Sequence, residues 1–216
     1  MAPPAKTNFS VLAESLICVI GIVIFSVFSH GKIIPFLISL SGLLIAGIVI
    51  NMNARTLRDL ISLFGFNKMS GITVIYIIIA VVFGILIGVV YRKHQHDFLI
   101  PVRLTYFAVP AILIGSTEEL VFRGFIQGHT RRAGILISII FAILSHAVYK
   151  CSFFLAHQSV YHTDILFLMK WTIFGGIIFS VIKEYSDNIW APLAGHAVFD
   201  LLVYGDVTGT PWWVWL

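Results

Sequence analysis

The sequence predicts an all-α fold, a multi-pass transmembrane bundle of six to eight helices around a polar intramembrane cavity, and three observations predict it. Of 216 residues, 59% are hydrophobic and 11% charged, with a mean hydropathy of +0.98, whereas soluble domains run at about 45–50% apolar and about 25% charged. Apolar runs close to the length of about 20 residues needed to cross hydrocarbon as a helix recur along the chain. Finally, Glu118, Glu119 and Arg123 stand inside the otherwise apolar stretch from Val109 to Ile126, where a charged side chain costs about 2.5–3.5 kcal/mol by insertion scales. Such residues persist where something uses them. The length leaves no room for a separate soluble domain, so residues 1–216 are expected to form one membrane-embedded unit with a short tail at 1–10.

Taken in order, Val11 to Phe28 reads as a first helix with Glu14 near its start, and because this apolar stretch of about 18 residues has no A-x-A cleavage pattern it is expected to be an uncleaved first span and not a signal peptide. His30, Gly31 and Lys32 make a tight connection to a second helix, Ile33 to Ile50. Asn51 to Ser70, with Arg55, Arg58, Asp59 and Lys68, is polar enough for water or the interface, and Gly71 to Tyr91 is a third span ended by the charged run Arg92 to Asp97. Phe98 to Gln127 reads as one longer element in which Pro101 and Pro110 predict a kink or break, and its second half carries the glutamates. Gly134 to Tyr149, holding His146, is the next span. Asp164 to Ile182 follows with Lys170 inside it, and Ala191 to Tyr204 is a short last helix carrying His196 and Asp200. Trp212, Trp213 and Trp215 suit the aromatic belt at a headgroup boundary.

The net charge of +4 has no dense basic run behind it, so it fits membrane loops and excludes nucleic acid as a partner. With the N-terminus inside, Lys6, Arg55, Arg58, Lys68, Arg131, Arg132 and Lys183 share one face against Lys32, Arg92, Lys93, Arg103 and Lys150 on the other. That bias is too small to orient the chain. Cys18 and Cys151 imply no disulfide framework.

On a helix advancing about 100° per residue, Glu119 and Arg123 share a face at i, i+4, while Glu118 points about a quarter turn away. Arg123 can therefore pair with Glu119, and Glu118 has no partner on its own helix. His146, His196 and Asp200, the last two also at i, i+4, could converge with Glu118 in the bundle interior, because none would be stable facing lipid. Two histidines and several carboxylates in a dry cavity support two chemistries. A carboxylate can activate water directly, or Glu118, His146, His196 and Asp200 can hold a divalent metal such as zinc that does so. Set against both is a purely structural network of buried hydrogen bonds and ion pairs. His94, His96 and Asp97 read as a solvated loop, His157 and His162 as loop residues, Lys170 as a snorkelling side chain, and Gly175 with Gly176 as helix-packing positions.

The string Glu-Glu-Leu-Val-Phe-Arg-Gly at 118–124, Ser-His at 145–146 and Ala-Pro-Leu-Ala-Gly-His-Ala-Val-Phe-Asp at 191–200 resembles the three motifs of the CAAX-protease and bacteriocin-processing family of intramembrane proteases. The resemblance covers the second half of the chain, with the motif-bearing helices in 98–204. It implies that Glu118 and His146 activate the attacking water, that Glu119 and Arg123 support them, and that His196 and Asp200 lie at the oxyanion. Two departures stand out. The family's phenylalanine four residues before the middle histidine is here Ala142, with Phe141 one residue earlier, and Asp200 stands where the prenyl proteases have asparagine. An ionised carboxylate cannot donate to an oxyanion, so Asp200 must be protonated, orient His196 or bind a metal.

The expected protein is thus an integral protein of the cell membrane that works among lipids and hydrolyses a peptide bond in a membrane-associated or lipid-anchored peptide or protein. A non-catalytic scaffold or bacteriocin-immunity protein on the same bundle is the alternative. A proton- or cation-coupled transporter is a third reading, to which the sequence lends no inverted repeat.

Overall fold

Runs of Ile, Leu, Val and Phe too long to be half-buried strands close into helices, which satisfy their own backbone groups in an apolar medium. The computed structural model describes residues 7–29, 33–95, 98–157 and 163–208, and within them it is all helix and connection. In chain order the helices are α1 (Asn8–Phe28), α2 (Ile33–Asn53), α3 (Leu57–Phe64), α4 (Gly71–Gln95), α5 (Ala108–Glu119), α6 (Ile135–Ala156), α7 (Ile165–Ser186) and α8 (Trp190–Tyr204). From α5 the chain continues directly as a π-helical segment, Leu120–Gln127, and two short turns, and Gly134 at φ +124° interrupts the helical path before α6. By length and composition α1, α2, α4, α6 and α7 are each able to cross a membrane. The protein is an integral membrane protein of the all-helical, multi-pass class. The expected connection at His30 to Lys32, His96 and Asp97, His162, Met1 to Lys6 and the tryptophan-rich tail lie outside the described residues.

Several boundaries differ from expectation for physical reasons. Thr7 caps α1, its hydroxyl accepting from the Ser10 amide at 3.3 Å, so the helix starts before Val11. The polar stretch after α2 contains α3, opened by a reciprocal capping box between Thr56 and Asp59 and closed by Gly65 at φ +80°. The long element expected over Phe98 to Gln127 is two pieces. Residues 98–107, with Pro101, are irregular, and Pro110 falls in the first turn of α5, where its missing amide has no helical acceptor to lose, so it bends nothing.

Arg92, expected in a loop cluster, is instead a buried clamp. Its guanidinium donates to both carboxylate oxygens of Asp206 at 2.8 and 3.0 Å, to the Leu202 carbonyl at 2.8 Å and to the Phe98 carbonyl at 3.0 Å. It thereby ties the end of α4 to the end of α8 and to the irregular segment.

The motif-bearing elements lie inside the bundle. Helix α8 packs on α4 and α5, and α6 packs on α7 and on the π-helical segment. The α4–α8 crossing is close enough that a Cβ on Gly84 would strike the Gly195 carbonyl oxygen, and one on Gly195 would stand 2.6 Å from the Ala80 carbonyl. Small residues at that crossing bring His196, the next residue along, into the centre.

Candidate active site

The two glutamates end α5 where the helix widens into its π-helical segment, a distortion that recurs at functional sites. Both are buried, and they face different neighbours. Glu119 Oε1 accepts from Arg123 Nη1 at 3.0 Å and from His196 Nδ1 at 2.7 Å. Glu118 turns toward α6, with Oε2 3.2 Å from His146 Nε2 and Oε1 2.6 Å from the Lys150 ammonium. The i, i+4 pairing of Glu119 with Arg123 is as expected. Glu118, without a partner on its own helix, finds two on another.

Arg123 also determines the state of His146. Its Nη1 lies 2.7 Å from His146 Nδ1, and a guanidinium only donates, so Nδ1 must accept. The neutral ring then carries its proton on Nε2 and donates it to Glu118 Oε2. The Phe122 ring stacks on the imidazole, centroids 4.5 Å apart and planes at 18°. That aromatic cover comes from the π-helical segment, while Ala142 is buried in the core with Phe141 packed beside it. Gly176 is more than a packing position, since a Cβ there would stand 3.1 Å from Arg123 Nη2.

His196 is held the opposite way round. Its Nδ1–H donates to Glu119, and Nε2 faces Glu118 Oε2 and Asp200 Oδ2, each at 3.7 Å. The residue that orients His196 is therefore Glu119, not Asp200. Asp200 is itself buried and sits against the bare backbone of Gly115, where a Cβ would collide with Asp200 Oδ2 and stand 2.9 Å from His196 Cδ2. Glu118, Glu119, Arg123, His146, His196 and Asp200 thus converge from α5, the π-helical segment, α6 and α8.

Lys150 is the residue that sequence reasoning missed. Ending the helix at Tyr149 placed it in a loop, but α6 runs on to Ala156 and buries it. Its i, i+4 spacing from His146 was the available signal. Beside these polar groups lies a small pocket of about 50 Å³. Glu119, Arg123, His146, Lys150 and His196 line one side, and Tyr91, Trp171, Phe179 and Phe199 are among the apolar walls. Glu118 is not among its lining residues but contacts three of them, His146, Lys150 and His196. Of the residues given low weight, His94 stacks on Phe167 at 3.7 Å and faces Asp164, and buried His157 engages the Phe153 carbonyl at 2.7 Å. Lys170 is exposed.

The donor set does not fit the expected four-ligand metal. Imidazole can bind a metal through Nε2 when Nδ1 carries the proton, usually donated to a carboxylate or carbonyl. His196 has that arrangement through Glu119, but His146 presents Nδ1 to a guanidinium that can only donate. Lys150 adds a fixed positive charge on Glu118. Among the described residues, no three His, Cys, Asp or Glu side chains are grouped to hold a metal ion.

Residues 100–202, which include all three motifs and Lys150, match the family model described as Rce1-like, type II CAAX prenyl endopeptidase. Over this segment the chain is similar to the CAAX proteases. Neither the curated proteins nor the solved structures offer a match. The matched segment begins in the irregular stretch before α5 and ends within α8, so it takes in the described polar cluster and leaves α1 to α4 outside.

Proposed function

We propose that this protein is an intramembrane endopeptidase that hydrolyses a peptide bond in a membrane-associated or lipid-anchored peptide or protein of the cell membrane. The observation that carries the reading is the buried Glu118 carboxylate, held by His146 and Lys150, which themselves line a pocket with apolar walls, in a segment similar to the CAAX proteases.

In the proposed reaction Glu118 is the general base. It takes a proton from water as the water oxygen attacks the peptide carbonyl carbon, and returns that proton to the leaving nitrogen as the carbon–nitrogen bond breaks. His146 cannot share the role of base in the tautomer that Arg123 imposes. Its Nε2–H orients the carboxylate instead. His196 faces the same space through Nε2. In its doubly protonated form it would donate to the oxyanion, with Glu119 and Asp200 as counter-ions on its two sides. This gives Asp200 a role that needs neither an oxyanion donor nor a metal.

The test compares membrane-bound peptides, by mass spectrometry, in cells carrying the wild type and Glu118→Gln. Uncleaved precursors accumulating with Glu118→Gln support the proposal. Identical peptide populations, with the variant also fulfilling the cellular role, would support the scaffold or immunity reading. Wild-type cleavage abolished by chelation and restored by zinc would overturn the metal-free mechanism.

A further inference from the structure

Lys150 is buried in the wall of the pocket, and it belongs to none of the three motifs. It lies one turn after His146 on the same face of α6, so two side chains of one helix hold the two oxygens of one carboxylate, His146 on Oε2 at 3.2 Å and Lys150 on Oε1 at 2.6 Å. A glutamate held at one oxygen can still swing about its last torsion, which is broad. Held at both, it has one orientation.

We propose that Lys150 is a positioning residue for the proposed proteolysis, fixing the Glu118 carboxylate so that one oxygen faces the attacking water while the ammonium balances its charge. The role rests on the proteolytic reading above. A helix-borne pair with no freedom to rearrange suits a base that must hold its place through proton uptake and release, since a misplacement of about 1 Å can cost about 100-fold in rate.

The test uses the full chain in proteoliposomes and a synthetic copy of the membrane peptide whose cleavage depends most on Glu118. Lys150→Met is expected to lower kcat by about 100-fold with KM changed less than about threefold. Lys150→Arg, which keeps the charge, is expected to recover part of the loss. Wild-type kcat in Lys150→Met would overturn the proposal. Thermal unfolding of Glu118→Gln, Lys150→Met and the double variant covers the case in which Lys150→Met folds poorly. If the lysine serves the glutamate, removing both restores the stability lost by removing the lysine alone. If the double variant is as unstable as Lys150→Met, the lysine serves the fold and the proposal fails. A wild type that cleaves no membrane peptide would remove the proteolytic reading, and this role with it, an outcome seen in the wild-type arm alone.

Discussion

Arg123 Nη1 stands 2.7 Å from His146 Nδ1, and because a guanidinium can only donate, this contact selects the tautomer of a histidine on another helix. The same nitrogen lies 3.0 Å from Glu119 Oε1. One arginine therefore couples the carboxylate that holds His196 to the imidazole that holds Glu118.

The first prediction concerns that tautomer. Nitrogen-15 NMR of the His146 ring in detergent should show the Nε2–H form, and Arg123→Gln should shift it toward a mixture. Because the change also frees Glu119 and His196, peptide cleavage should fall by about 100-fold or more. Unchanged ring shifts in the variant would contradict the assignment.

Asp200→Asn tests whether Asp200 is a counter-ion. An amide has nearly the same shape, and His196 keeps its bond from Nδ1 to Glu119, so activity should stay within about tenfold of wild type, equivalent to about 1.4 kcal/mol. A loss comparable to Glu118→Gln would show that the carboxylate itself takes part.

Gly115→Ala places a methyl group where Asp200 Oδ2 lies. Overpacking of this kind costs about 1–3 kcal/mol, so a lower unfolding temperature and reduced cleavage are expected together. Retention of both would mean that α5 and α8 can part without consequence.

Arg92→Met separates fold from chemistry. The arginine is 1% exposed and its partner Asp206 23%, so loss of the clamp should destabilise by about 3 kcal/mol, the low end for a buried pair. Asp206→Asn should cost less, because the guanidinium keeps its carbonyl partners. Unfolding in detergent measures both, and molecules that remain folded should cleave normally.

Much of this arrangement was legible in the sequence because helical periodicity and the cost of charge in hydrocarbon act locally. The i, i+4 pairing of Glu119 with Arg123 and the separate facing of Glu118 follow from helix geometry alone, although the chain widens into a π-helix at Leu120. What was not legible depends on a partner from another helix. Lys150 and Arg92 were placed in loops because a cation next to a hydrophobic run ordinarily marks its end. Each is buried because a distant carboxylate, Glu118 or Asp206, receives it. The same limit applies to the metal. Residue types at 118, 146, 196 and 200 suit a zinc site, and what argues against it, the direction in which His146 faces Arg123 and the Lys150 ammonium on Glu118, is set by contacts between helices. The position of Pro110 was legible in principle, but its effect depended on where α5 begins.

The central claim is that Glu118 is the base of a peptide hydrolysis, and the most direct measurement is the profile of membrane-bound peptides in cells carrying the wild type or Glu118→Gln. The account predicts that specific cleaved products present with the wild type fall by at least about 100-fold with Glu118→Gln, the scale of general-base catalysis, while the variant accumulates to the same level in the membrane. Equal amounts of the same cleaved products with both proteins would contradict it.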